Sequence, residues 1–141
     1  MKILVINGPN LNMLGKRDKI QYGSVTLDDI TKSMAEYIDW EFDFFQSNHE
    51  GFIIDKIHES LNVDGIIINA GGLTHTSVAL RDALDIYQGP KVEVHLSDIY
   101  NREDFRKVNF IRDVCTKSIV GQKEKGYIFA IDYLKSYYNV I

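Results

Sequence analysis

Ile3-Leu4-Val5-Ile6-Asn7-Gly8-Pro9-Asn10 is the stretch on which the fold turns. Four successive apolar residues run into Asn-Gly-Pro. A strand with one wet face alternates apolar and polar residues, whereas an unbroken apolar run is a strand covered on both faces, the mark of a parallel sheet between helices. The pattern recurs at Ile66-Ile67-Ile68-Asn69, which leads into Ala70-Gly71-Gly72-Leu73-Thr74-His75, and at Lys91–His95, which leads into Leu96-Ser97. Each apolar run ends in a polar cluster. Polar groups gathered at one end of several strands are how an open α/β sheet builds a site.

The segments between these runs complete the pattern. Residues 9–25 read as a long loop carrying Gly15, Gly23 and the charged Lys16-Arg17-Asp18-Lys19; a connection of that length is functional or mobile. Thr26 predicts an N-cap for a helix over 26–40, with Ile30, Met34, Tyr37 and Ile38 on one face. A short strand is expected at 41–45. A second helix after Asn48-His49-Glu50-Gly51 would bury Ile53, Ile54, Ile57 and Leu61. The run at 66–69 is the third strand. A helix over 77–87, capped by Thr76 or Ser77 and stopped by Gly89-Pro90, precedes the fourth strand, Lys91–His95. A short helix near 102–111, a fifth strand at Lys117–Val120 and a final helix over 126–138 follow. Repeated strand-then-helix units without internal sequence repeat predict one α/β domain over residues 1–141, a doubly wound five-stranded parallel sheet with helices on both faces. The flavodoxin-like strand order 2-1-3-4-5 suits this spacing and places strands 1, 3 and 4, which carry the polar clusters, side by side.

The chain of 141 residues is 45% hydrophobic and 26% charged, with a net charge of −4. That balance excludes a general nucleic-acid binder, which needs a basic footprint. The lone Cys115 rules out an internal disulfide and a Cys-rich zinc site, and fits a reducing compartment. The apolar start is too short for a signal peptide, and no run is long enough to cross a bilayer. The expected location is cytoplasmic.

Alternation puts Glu93, His95 and Ser97 on one side of their strand. An imidazole at a strand end is either a satisfied polar group or a catalyst; a carboxylate two positions away can orient and charge it, as a general acid requires. His75, in a Gly-Gly loop before a helix, either packs locally or, with Thr74 and backbone amides, holds an anion or hydroxyls. Asn69 either ties the loop down or faces a ligand. Arg17 and Tyr22 belong to a solvated loop or to a closing lid, and a nearby guanidinium favours phenolate over phenol. Arg102 and Arg106 either pair with Glu103 and Asp104 or clamp a carboxylate. His49 and His58 read as structural. The aromatics Tyr127, Phe129, Tyr133, Tyr137 and Tyr138 read as core and subunit contact. No metal-ligand spacing, phosphate loop or dinucleotide fingerprint occurs.

These motifs resemble type II 3-dehydroquinate dehydratase over nearly the whole chain. The carriers are Ile6-Asn7-Gly8-Pro9-Asn10-Leu11 with Leu14-Gly15 and Arg17 to Tyr22-Gly23, Gln46-Ser47-Asn48-His49-Glu50-Gly51, the stretch from Asn69 to Asp82, and Glu93-Val94-His95-Leu96-Ser97 with Arg102-Glu103 and Phe105-Arg106. The resemblance implies a cofactor-free, metal-free flavodoxin-like subunit of a dodecamer built as a tetramer of trimers. It implies anti elimination of water from 3-dehydroquinate through an enolate, giving 3-dehydroshikimate in the shikimate pathway. By the same resemblance, Tyr22 is the base, Arg17 supports its phenolate, and His95 is the general acid oriented and charged by Glu93. Asn10 helps hold a water that stabilises the enolate. Asn69, His75, Leu96, Ser97 and Arg106 bind substrate, and Asp82 reaches a neighbouring subunit's site. The chain departs from the family at Asp18-Lys19, where Glu-Pro is usual, at Val108-Asn109, where His-Ser is common, and in Gly121-Gln122-Lys123-Glu124-Lys125-Gly126, which lacks an inner glycine. Two competing readings are a flavodoxin-like FMN or phosphate binder and an inactive relative.

Overall fold

The computed structural model describes residues 1–139. Its five parallel strands are β1 (Lys2–Asn7), β2 (Glu41–Gln46), β3 (Gly65–Asn69), β4 (Lys91–His95) and β5 (Lys117–Val120), in the order β2-β1-β3-β4-β5. This is the expected flavodoxin-like order. The register aligns Asn7 with Gln46 on one side and Asn69 on the other, so the polar strand ends lie level across the sheet.

The longer helices are α2 (Leu27–Tyr37), α3 (Glu50–Glu59), α4 (Val78–Ile86) and α5 (Lys125–Tyr137); α1 (Lys19–Tyr22) is a single turn inside the first long connection. Strand alternation divides the core in two. Ile3, Val5, Ile67, Val92 and Val94 face α2 and α5, meeting Ile30, Met34, Ile131 and Leu134. Leu4, Ile6, Ile66 and Ile68 face α3 and α4, meeting Ile53, Ile57, Leu80 and Leu84. Each fully buried aliphatic side chain contributes roughly 1.5–3 kcal/mol, so these two layers hold the strand ends in fixed register.

Capping follows the sequence. Thr26 and Asp29 form a reciprocal capping box at α2, and the Ser77 hydroxyl accepts the Leu80 N–H at α4. Four expectations are corrected. The helix expected over 26–40 ends at Tyr37, because Ile38 is extended and Glu41 N–H already joins the sheet by donating to the Met1 carbonyl. Leu61 is exposed rather than buried: α3 stops at Glu59, Ser60 N–H turns back to the Ile57 carbonyl, and Val63 fills the core instead. The helix expected near 102–111 is a chain of 3-10 turns at Ile99–Asn101, Asp104–Lys107 and Arg112–Val114. The first connection is not plain loop; it holds a 3-10 turn at Leu11–Met13 and α1, whose first amides are capped when Asp18 Oδ1 accepts the Ile20 N–H. No helix of the described residues is long and apolar enough to cross a membrane.

Candidate active site

A cleft of about 360 Å³ opens at the C-terminal ends of β1, β3 and β4. Among its walls are Arg17 and Tyr22 from the first connection, Asn69 and His75 from the β3 end, His95, Leu96 and Ser97 from the β4 end, and Arg102 and Arg106 from the 3-10 segment. The structure thus brings together residues from four separate segments of sequence.

The floor is rigid. Glu93 is 0% exposed, and its Oε2 lies 2.8 Å from His95 Nε2. Burial opposes the charge on Glu93, yet hydrogen bonds and attraction from His95, with further hydrogen bonds from Ser118 and Asn109, outweigh it and hold the carboxyl below its ordinary range. Because Nε2 is occupied by Glu93, the other ring nitrogen of His95 is the one left for a ligand. His75 Nδ1 lies 2.7 Å from the Val108 carbonyl, which can only accept, so Nδ1 carries the proton and Nε2 is left as an acceptor. Desolvation, aided by the positive charge of His95, Arg106 and Arg102, outweighs the Val108 hydrogen bond and pushes His75 below the ordinary histidine value. At neutral pH it therefore presents a lone pair. Asn69 ties the loop down: Oδ1 accepts the Gly71 N–H and Nδ2 donates to Tyr127 Oη at 3.1 Å; the residue also lines the cleft.

The first connection supplies the phenol. The Arg17 guanidinium stacks on the Tyr22 ring, with Cζ 3.6 Å from the centroid. Arg102 Nη1 donates to Tyr22 Oη at 2.7 Å and to Ser97 Oγ at 3.1 Å. The sequence left Arg102 as either a partner of Glu103 and Asp104 or a carboxylate clamp and did not join it to Tyr22. The 80 positions between it and Tyr22 carry no periodic signal that would join them. Arg106 lines the cleft while its Nε donates to Glu103 Oε1 at 2.8 Å. Leu96 turns its side chain into the core, so only its backbone is available to a ligand.

Three residues lie elsewhere. Asn10 is exposed beside the Leu11–Met13 turn, with a left-handed backbone, and its N–H donates to Asn48 Oδ1. Asp82 is exposed on α4, away from this chain's cleft. Thr74, grouped with His75 in the sequence, is fully buried and its hydroxyl has no partner among the described residues.

The turn after β1 is not a phosphate cradle. Pro9 has no N–H, Gly8 N–H is spent on the Asn69 carbonyl, and Asn10 N–H on Asn48. An FMN-type reading loses its anchor there.

Comparison with known proteins agrees with this geometry. The family model for class II dehydroquinase matches residues 1–135. The chain belongs to the class II dehydroquinase family. It is 52% identical over 146 aligned positions to the 3-dehydroquinate dehydratase of Fusobacterium nucleatum, covering 99% of both chains. It is 50% identical to that of Thermotoga neapolitana, over 96% of this chain and 94% of the relative. Among solved structures, the type II dehydroquinase of Butyrivibrio crossotus superposes with a TM-score of 0.93 at 50% identity, covering 96% of this chain and 97% of that one. The type II dehydroquinase of Propionibacterium acnes gives 0.91 at 34% identity, with 96% of each chain covered. As a class II dehydroquinase, the chain is an enzyme whose cleft carries an acid–imidazole pair and an arginine-bound phenol.

Proposed function

We propose that this class II dehydroquinase removes water from 3-dehydroquinate to give 3-dehydroshikimate, the dehydration step of the shikimate pathway. The observation that carries the reading is that a phenol held by two arginines and an imidazole held by a buried carboxylate line one cleft.

The chemistry follows from those two pairs. Tyr22, as phenolate, takes the proton on the carbon next to the ketone. Arg102 donates to its oxygen and Arg17 lies over its ring, so both stabilise negative charge there. The electrons pass into an enolate. The resemblance also gives Asn10 a water against the enolate oxygen, although Asn10 does not line the cleft of this chain. His95, paired with Glu93, protonates the hydroxyl on the adjacent carbon, which then leaves as water. The elimination is anti, as the family resemblance implies. His75 Nε2 accepts from a substrate hydroxyl. Asn69, Ser97 and the Leu96 backbone hold the remaining hydroxyls and carboxylate, and Arg106 takes the carboxylate. Asp82 serves the cleft of a neighbouring subunit within a trimer, four trimers making a dodecamer. The enzyme needs neither metal nor cofactor and works in the cytoplasm.

Mixing the protein with 3-dehydroquinate and following the ultraviolet absorbance of the conjugated enone tests the reading. Turnover is expected, and enzyme treated with borohydride in the presence of substrate and then freed of both is expected to keep its activity because no imine forms. Tyr22→Phe is expected to lower kcat about a thousandfold while KM changes little, the scale of a lost general base. Undiminished kcat in that variant removes Tyr22 as the base, and no turnover by the parent removes the proposed reaction.

A further inference from the structure

Glu93 is a buried carboxylate, and burying a charge is costly unless its lone pairs are filled. Its occupants come from three elements. His95 Nε2 sits on Oε2. Ser118 Oγ donates to Oε1 at 2.7 Å from β5, where the strand register sets it directly beside Glu93. Asn109 Nδ2 lies 3.1 Å from both oxygens. The Asn109 amide has only one possible orientation, since its Oδ1 accepts the N–H groups of Ile111 and Arg112 at 3.0 Å. Its donor face is therefore fixed toward Glu93 by the backbone of the Arg112–Val114 turn. Neither residue lines the cleft.

We infer that Asn109 and Ser118 are positioning residues: they lock the Glu93 carboxylate in the rotamer that holds and charges the His95 imidazole. The inference rests on the dehydratase reading and adds to it. Without these donors, Oε1 has no partner and Oε2 keeps only His95, the carboxylate turns in its socket, and the proton shifts from imidazole toward carboxylate. The acid is then weakened although it is still present.

The test is a mutant cycle read by steady-state kinetics on 3-dehydroquinate. Ser118→Ala and Asn109→Leu are each expected to lower kcat about tenfold, the scale of one lost charge-assisted hydrogen bond, with KM within about twofold because neither touches substrate. In a Glu93→Gln background the same changes are expected to have no further effect, since there is no carboxylate left to hold. Ser118→Thr keeps the hydroxyl and is expected to restore the parent kcat. A fall in kcat that persists at full size in the Glu93→Gln background marks a merely structural role and overturns the inference, as does an unchanged kcat. Asn109→Leu also strips the Ile111 and Arg112 amides; if it fails to fold, Ser118→Ala decides alone. A parent that leaves 3-dehydroquinate untouched overturns both readings, whereas an active parent with unaffected variants overturns only this one.

Discussion

Replacing Tyr127 with phenylalanine removes one oxygen from the middle of the molecule. That oxygen joins α5 to two strand ends: it donates to Asn7 Oδ1 at the end of β1 and accepts from Asn69 Nδ2 at the end of β3. Tyr127 is 0% exposed, Asn7 2% and Asn69 4%, so water cannot easily replace the lost partner. Two buried polar atoms lose a hydrogen bond in the variant. Each such loss costs about 1–3 kcal/mol, partly offset because the hydroxyl itself no longer has to be desolvated. The net expectation is a loss of about 2–3 kcal/mol. Urea unfolding at matched protein concentration, since any assembly contributes to apparent stability, would show a lower midpoint with an unchanged slope. The ring still fills its place among Met34, Ile131 and Leu134, so the packing contribution is retained. Asn69 also loses the contact that fixes its amide beside the cleft, and KM for 3-dehydroquinate is expected to rise several-fold. A midpoint equivalent to less than about 0.5 kcal/mol from the parent would refute the reasoning, because Asn7 and Asn69 would then have found other partners.

Arg102→Met removes the donor to both Tyr22 and Ser97; kcat/KM is expected to fall about 10–100-fold with little change in the unfolding midpoint. Glu93 ionises below its ordinary range when folded, so it adds stability above the unfolded value of about 4.3 that is lost as pH falls through the lower folded value. The stability gap between the parent and Glu93→Gln, measured by urea titration at stepped pH, is therefore expected to shrink below about pH 4. Gly71→Ala is expected to destabilise by about 1–3 kcal/mol, because Gly71 has φ of 59° and an added Cβ would meet the Pro9 carbonyl oxygen at 2.9 Å; thermal unfolding reads it directly.

The frame of the molecule was legible because burial on both faces leaves so plain a mark. Ile3 to Ile6 and Ile66 to Ile68 are unbroken apolar runs, and the residues that end them, Asn7 and Asn69, pair across adjacent strands. The Glu93–His95 contact was legible for a similar reason: residues two apart on a strand share a face. The segment after Ser97 was not. Arg102 and Arg106 have helical spacing, but Asp98 caps a separate turn by accepting the Tyr100 N–H, and Glu103 draws both arginines toward itself instead of continuing a helix. Arg102 reaches Tyr22, and Asn109 reaches Glu93, only because loops from distant parts of the chain close over the same strand end. No local period encodes such a meeting.

The imidazole and the phenol of this cleft belong to different kinds of structure. His95 is 3% exposed on a central strand between two packed layers, whereas Tyr22 rides on a one-turn helix with no buried residue, next to Ile20 at 82% exposure and between Gly15 and Gly23, whose φ values of 95° and 82° suit hinges. Local opening is easiest where few apolar contacts must be broken. Gentle heating or dilute denaturant is therefore expected to loosen the segment around Tyr22 before the sheet. If Tyr22 is the base as proposed, activity is expected to fall below the unfolding midpoint and to return on cooling.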